Sequence, residues 1–450
     1  MTYSETINYL FSNLPAFHRT GAAAYRANLD TTLKLDEIFN RPHTQFKSIH
    51  VAGTNGKGSV SHILASILQS AGYRVGLYTS PHLTDFRERI KINGNEIPEH
   101  EVVHFVEKYK SVFAELQPSF FEMTVALAFD YFARQKIDLA VVETGLGGRL
   151  DSTNIISPLI SIITNTGFDH TEFLGKTITS IATEKAGIIK PQTPVVVGEW
   201  DDESAVVFSE KATSENAEII FASQCAKINE IKQYDTYQEF EISAVDCNLM
   251  AFDNKKIKLD LLGNYQQKNI ITALAAIATL QKNSLLKINT DSIFAGFASA
   301  AKQTGLRGRW QILSKNPFTV CDTGHNAHGL NLSMTQLKSL KRNRLFFVFG
   351  TVADKDLDSI LPLLPQDAFY IFTSANIPRA MSATCLAQRC TAANLQGKTI
   401  PNVKDALLYA QKSAQNDDVI FIGGSTYVVA EIIDSFPPLT LQLKPLQSKY

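Results

Sequence analysis

The chain has 450 residues, with 43 basic and 44 acidic side chains and a formal net charge of -1. That length exceeds one ordinary core and predicts two or three domains, and the charge balance excludes nucleic-acid binding by bulk electrostatics, so any anion must be held locally. Five scattered cysteines without a C-x-x-C pair read as reduced thiols rather than disulfides or a zinc site. A start without a basic, apolar leader, and no apolar run near the ~20 residues of a membrane span, predict a soluble, cytoplasmic protein.

In chain order, short apolar runs end in turns or polar loops: "KSIHVAG", "RVGLYTS", "DLAVVETG", "LISIITNTG" and "TPVVVGE". Helix-like stretches such as "SVSHILASILQSAG" and "FEMTVALAFDYFARQ" lie between them. Strands that are apolar throughout, alternating with helices, predict a parallel α/β sheet covered on both faces. From about 200 to 262 the runs "EIIFAS", "EFEIS", "NLMAFD" and "KIKLDLLG" predict a small antiparallel appendage. "NYQQKNIITALAAIATLQ" sets Ile270, Ala273, Ile277 and Leu280 on one helical face. "AKQTGLRGRWQ" at 301–311 reads as a linker, and "FTVCDTG", "LFFVFGT", "FYIFTS" and "DVIFIGGS" begin a second α/β series. The expected domains are therefore 1–300, with an ATPase-type parallel sheet and a β-rich appendage, and 312–450, smaller and Rossmann-like.

The stretch "IHVAGTNGKGSVSHILASIL" at 49–68 departs from the common G-x-x-x-x-G-K-[ST] phosphate loop: Val51 replaces its first glycine and Gly58 its Ser/Thr. A Gly/Asn turn is the plain alternative. The loop nevertheless follows an apolar strand and opens an amphipathic helix, the setting in which backbone N–H groups and a helix N-terminus hold phosphate. On that reading Gly53, Thr54, Asn55, Gly56, Lys57, Gly58 and Ser59 line a nucleotide, with Lys57 reaching its terminal phosphates.

"HVAGTNGKGS" resembles the phosphate loop of the folylpolyglutamate synthase / dihydrofolate synthase family, a branch of the Mur-ligase superfamily. "YTSPHL" (78–83), "ETGLGGRLDSTN" (143–154), "ITNTGFDHTEFLG" (163–175) and "EKAGIIK" (184–190) are similar to it as well, and so are "GNYQQKN", "RGRWQ", "DTGHNAHG" and "VFGTVADKD". The likeness runs in order from about 47 to 430. Ala327 stands where the family usually has Pro, and Tyr265 where it often has His.

The resemblance implies an ATP-dependent ligase that adds L-glutamate to dihydropteroate, to reduced folates, or to both, through an acyl phosphate. It implies small-molecule partners only, no nucleic acid or membrane, and a monomer. Bringing a carboxylate to a triphosphate sets like charges together, and each pair ~4 Å apart costs roughly 4 kcal/mol at an effective dielectric of 20. Cations must offset this, and oxygen ligands suit Mg²⁺. Glu143 ends the run "DLAVV" and Ser80 follows "VGLYT", so a carboxylate and a hydroxyl stand at strand ends, where open α/β sheets place ligands. By resemblance Ser80 and Glu143 hold one Mg²⁺, and His170 and Lys185 share a second with Glu143. Lys185 would then be carbamylated, which requires an amine made neutral below its reference pKa of about 10.4.

The resemblance further assigns Asn269 to adenine, Arg309 and Asp322 to phosphate and ribose, and His325 to the phosphates, with the second domain closing over the nucleotide. "FEMT", with Phe121, Glu122 and Thr124, and "LDS", Leu150, Asp151 and Ser152, match segments that touch pteroate; core packing is the alternative for Phe121. The i,i+3 histidines of "HNAH" make a weak metal site, and His100 and His104 suit a solvated helix face. A peptidoglycan amino-acid ligase would need a further domain ahead of the loop, where only 52 residues precede Gly53. A nucleotide switch without ligase chemistry would not need the Glu143, His170 and Lys185 set. Residues 11–30 do not reproduce the pteroate-side segment of bifunctional relatives.

Overall fold

The apolar runs of the first part become strands. The computed structural model describes residues 1–15, 28–245 and 247–436. The first eight strands are β1 (Lys47–Ala52), β2 (Val75–Tyr78), β3 (Ile90–Ile92), β4 (Asn95–Glu96), β5 (Leu139–Glu143), β6 (Ile160–Ile163), β7 (Val195–Val197) and β8 (Ile219–Phe221). They form one sheet in the order β4-β3-β2-β5-β1-β6-β7-β8. β2, β5, β1, β6, β7 and β8 are parallel, and β3 and β4 add an antiparallel edge. The four neighbours β2, β5, β1 and β6 point their carboxyl ends at Ser80, Glu143, Gly53 and Thr164, which gathers the candidate chemistry at one sheet edge.

The helix Lys57–Ser70 buries every residue from Ser59 to Leu68. A helix this apolar must be covered on both sides, and Ile293 and Phe297 of the helix Thr290–Ala298 belong to the same buried cluster. Their approach depends on Gly296: a Cβ there would fall 2.3 Å from Ile67 Cα and 2.6 Å from its nitrogen. Ser66 Oγ also donates to Gly296 O at 2.7 Å. Backbone cannot yield as a side-chain tip does, so Gly296→Ala should cost about 1–3 kcal/mol. The denaturant midpoint should fall with an unchanged slope; a wild-type midpoint would contradict this close approach.

The antiparallel appendage is smaller than the sequence pattern predicts. It comprises β9 (Ala226–Gln233), β10 (Gln238–Ala244) and β11 (Lys256–Leu259), in the order β11-β10-β9. "EIIFAS" instead supplies β8, which pairs parallel with β7, and "NLMAFD" lies in a 3-10 helix, Cys247–Phe252. The helix Asp202–Ser214 makes the crossover that a parallel pair requires.

The second series holds β12 (Gln311–Lys315), β13 (Phe318–Cys321), β14 (Leu345–Phe349), β15 (Ala368–Phe372), β16 (Gly397–Thr399) and β17 (Val419–Gly423). Their order is β12-β13-β17-β14-β15-β16, parallel except for β12. The chain divides into Met1–Leu261 with Gln266–Leu306, and Leu262–Tyr265 with the chain from Arg307 on. This differs from the expected 1–300, 301–311 and 312–450. Residues Ala300–Thr304 are helical, and Gln311 already starts β12. Leu262–Tyr265 joins the second unit because Gln336 Nε2 donates to Leu262 O, Asn264 N donates to Gln336 Oε1, and Tyr265 Oη donates to Asp322.

Candidate functional site

The glycine loop is built to a shape only its own residues accept. Gly53 has φ +149° and Gly56 φ +84°; a Cβ on them would lie 1.8 Å from Thr164 Oγ1 and 2.5 Å from Asn269 Oδ1. The residues after β6 back the loop. Thr54 N donates to Asn165 O at 3.1 Å, Asn55 N to Asn165 Oδ1 at 2.9 Å, and Thr164 Oγ1 to Asn55 O at 2.6 Å. Thr54 Oγ1 both donates to Gly167 O and accepts from Gly167 N, each at 3.0 Å. Lys57 curls over the loop, its Nζ 2.9 Å from Gly53 O and 3.3 Å from Thr54 O. Ser59 accepts from Gln266 Nε2, and Gln266 Oε1 accepts from Asn269 Nδ2, which brings Asn269 to the loop. Asn165 Nδ2 donates to Glu199, which pairs with Lys268. Thr164, Asn165 and Glu199 were not assigned from sequence; the motif "TNTG" held the signal for the first two, but their loop partner Asn55 lies over 100 residues away.

Glu143 ends β5 almost fully buried, and its Oε2 accepts from Ser80 N at 3.0 Å. His170 sits in the left-handed region at φ +50° and caps the helix Thr171–Leu174; its Nε2 is 3.9 Å from Asp169 Oδ1. Lys185, in the last turn of the helix Ile178–Ala186, is 1 % exposed. Burial, with the Lys57 charge adding to it, pulls its ammonium down to about 7, while Asp169 opposes. Asp169 is thus an unforeseen member of the set, marked in sequence only by its place beside His170. No group of three or more His, Cys, Asp or Glu side chains converges among the described residues. One carboxylate with one hydroxyl fits a hard cation that completes its shell with phosphate oxygens and water, as Mg²⁺ does, and does not fit a closed all-protein site.

On the acceptor side the expected residues separate by role. Phe121 packs on Gly145, where a Cβ would lie 2.4 Å from the ring, and its centroid is 6.2 Å from that of Tyr78. Glu122 instead completes the capping box of the helix Phe120–Arg134, accepting from Ser119 N at 2.7 Å. Thr124 is buried and donates to Phe120 O at 2.6 Å, within the same helix. Glu122 also accepts from Thr32 Oγ1 at 3.5 Å. Asp151 accepts at Oδ2 from Gly145 N and Leu146 N, and at Oδ1 from the Thr153 backbone and hydroxyl. Burial raises its carboxyl above the usual range, and those donors oppose the rise. Ser152 is buried and Leu150 half-buried in the same segment. Of the stretch 11–30, residues 16–27 lie outside the described residues.

In the second unit Asp322 follows β13. Its carboxylate accepts from Tyr265 Oη (2.7 Å), Trp310 N (2.8 Å), Gly324 N (2.8 Å) and Ser333 Oγ (3.0 Å). Asp322 therefore orders the turn, and a ribose contact would compete with donors already in place. Thr323 gathers the rest: Arg309 donates to its hydroxyl, and His325 Nδ1 to its carbonyl at 3.1 Å.

The Mur ligase middle domain family matches residues 51–277, and the Mur ligase, glutamate ligase domain matches residues 308–426. The chain is 32% identical over 400 residues to a dihydrofolate synthase/folylpolyglutamate synthase of Bacillus subtilis, covering 87% of this chain and 90% of that one. Its fold is similar to E. coli FolC in complex with DHPP and ADP, with TM-score 0.79, 28% identity and 97% of each chain covered. It is likewise similar to a bifunctional folylpolyglutamate synthase/dihydrofolate synthase with Mn, AMPPNP and L-glutamate bound, with TM-score 0.80, 27% identity and 98% of each chain covered. No helix among the described residues is long and apolar enough to cross a membrane.

Proposed function

Because the chain belongs to the dihydrofolate synthase/folylpolyglutamate synthase family of ATP-dependent ligases, we propose that it joins L-glutamate both to dihydropteroate and to reduced folates. An acceptor carboxylate oxygen attacks the γ-phosphorus of ATP, the bond to ADP breaks, and an acyl phosphate forms. The glutamate nitrogen then attacks the acyl carbon, the C–O bond to phosphate breaks, and the amine loses a proton. The observation that carries the reading is the loop Gly53–Ser59, held rigid by Thr164 and Asn165 beside Glu143 at the ends of adjacent strands.

Lys57 and the loop N–H groups hold the terminal phosphates, and Asn269 meets adenine. Arg309, which bonds to Thr323, and His325, on the turn that Asp322 orders, meet phosphate. Ser80 and Glu143 hold one Mg²⁺, and His170 with a carbamylated Lys185 supports a second; bound metal would neutralise phosphate charge. Phe121 offers its ring to the acceptor, with Leu150 and Ser152 beside it. We assign the protein to the cytoplasm, acting as a monomer on small molecules.

Both ligations join a carboxylate to the same amine through the same intermediate, so one glutamate pocket serves two acceptors held at different depths. Purified protein with ATP, Mg²⁺ and glutamate should convert 7,8-dihydropteroate and tetrahydrofolate alike, followed by mass. Product from tetrahydrofolate alone would reduce the activity to polyglutamylation, and product from dihydropteroate alone to dihydrofolate synthesis.

A further inference from the structure

β1 carries a histidine in the middle of an otherwise apolar strand. His50 is fully buried and stands in register with Val142 of β5 and Ser161 of β6. Its neighbours Ile49 and Val51 belong to the cluster on one face of the sheet, and alternation turns His50 to the other. A β-branched apolar residue would suit that place without burying a polar ring. Nδ1 finds no hydrogen-bond partner, whereas Nε2 lies 2.9 Å from Thr153 Oγ1.

The direction of this contact follows from proton counting. Thr153 Oγ1 has one proton and donates it to Asp151 Oδ1. It can only accept from His50, so the ring is the Nε2–H tautomer. Asp151 then passes the constraint on: its Oδ2 accepts from Gly145 N and Leu146 N, both at 2.8 Å. Gly145 is the residue on which Phe121 rests. A continuous chain of hydrogen bonds thus runs from the strand that ends at Ala52, just before Gly53, through Thr153 and Asp151, to the turn after Glu143.

We propose that His50 is a positioning residue, which ties the phosphate-loop strand to the segment Thr144–Asn154 and so fixes the acceptor surface relative to the nucleotide. This rests on the reading that Phe121 and the 144–154 segment border the acceptor. It assigns to Asp151 and Thr153 an indirect role, acting through the backbone of Gly145 and Leu146. Because the link runs toward the acceptor, its loss should weaken acceptor binding while the glycine loop, backed by Thr164 and Asn165, keeps its hold on ATP.

The test compares Thr153→Val, which keeps the branched shape and removes the hydroxyl, with Thr153→Ser, which keeps the hydroxyl. His50→Leu removes the ring donor, and His50→Gln retains an amide donor. Acceptor KM, ATP KM and fluorescence-detected binding of dihydropteroate are measured for each. Thr153→Val and His50→Leu should each raise acceptor KM by about tenfold or more, with ATP KM within about twofold of wild type. Thr153→Ser should recover most of the loss, His50→Gln should fall between, and the double variant should be no worse than either single change. Parallel losses for ATP and acceptor, additive losses in the double variant, or an unchanged acceptor KM would each overturn the proposal. Should Thr153→Val fail to fold, the His50→Leu and His50→Gln pair carries the same comparison. Wild-type protein that ligates neither acceptor would sink the functional reading; active wild type with unaffected variants would sink only the role of His50.

Discussion

Lys57→Ala is expected to leave the protein folded and to cut kcat at saturating ATP by about 10²–10³-fold or more, the scale on which a preorganised charge at the reacting oxygens acts. The side chain contributes little to the core: it is partly exposed, and its contacts are the carbonyls of Gly53 and Thr54. The loop keeps its shape without it, because Asn165 and Thr164 hydrogen-bond its backbone at Thr54 and Asn55. On the proposed reading, what is lost is a cation placed where negative charge shifts as the acyl phosphate forms. The variant should therefore match wild type in circular dichroism and melting temperature, and fail in turnover. Wild-type kcat at saturating ATP would remove the loop from the phosphate site.

Lys185→Ala should lower activity by about 100-fold or more, since even groups that only support a metal ligand cost ~10–100-fold. Burying a lysine ammonium is costly and favours the neutral amine, and the Asp169 charge offsets only part of that cost. Here burial and the Lys57 charge bring its ammonium to about 7, so at pH 8 most of the amine is free to take up carbon dioxide. Carbamate formation joins the lysine nitrogen to the carbon of carbon dioxide and releases a proton, turning a cation into a carboxylate-like anion. The sign follows: as pH falls through about 7 the amine is protonated, and both carbamate occupancy and activity should fall with it. Carbon-13 bicarbonate should label one lysine in wild type and none in Lys185→Ala, and short carboxylic acids should restore part of that variant's activity. A free amine at Lys185 in fully active enzyme, read by intact mass without acid, would rule the carbamate out.

The parts of this protein that depend on short range were legible in its sequence. Apolar runs of four to six residues followed by Gly, Ser or Asn mark buried parallel strands, because only a strand covered on both faces is apolar throughout. β1, β2, β5, β6 and β7 lie where those runs predict. The turn "GTNGKGS" was readable because left-handed conformations at Gly53 and Gly56 exclude other residues. Where local pattern was ambiguous it misled. "EIIFAS" suits either sheet, and its pairing with β7 is decided by the crossover helix Asp202–Ser214 and not by its own composition.

Tertiary structure alone decided what each polar group does. The capping box of Glu122 is local, but its carboxylate also accepts from Thr32 Oγ1 at 3.5 Å, from 90 positions earlier. Lys185 reads as an ordinary helical lysine, and only burial together with Lys57, 128 positions earlier, moves its titration. Asp322 reads as an exposed turn carboxylate, and only the fold brings Tyr265 Oη to it from 57 positions earlier. His50 and Thr153 meet across 103 positions. The physical reason is common to all four. A strand or turn is set by the steric preferences of a few neighbouring residues, whereas the state of a buried polar group is set by the desolvation and donors that distant segments bring to it.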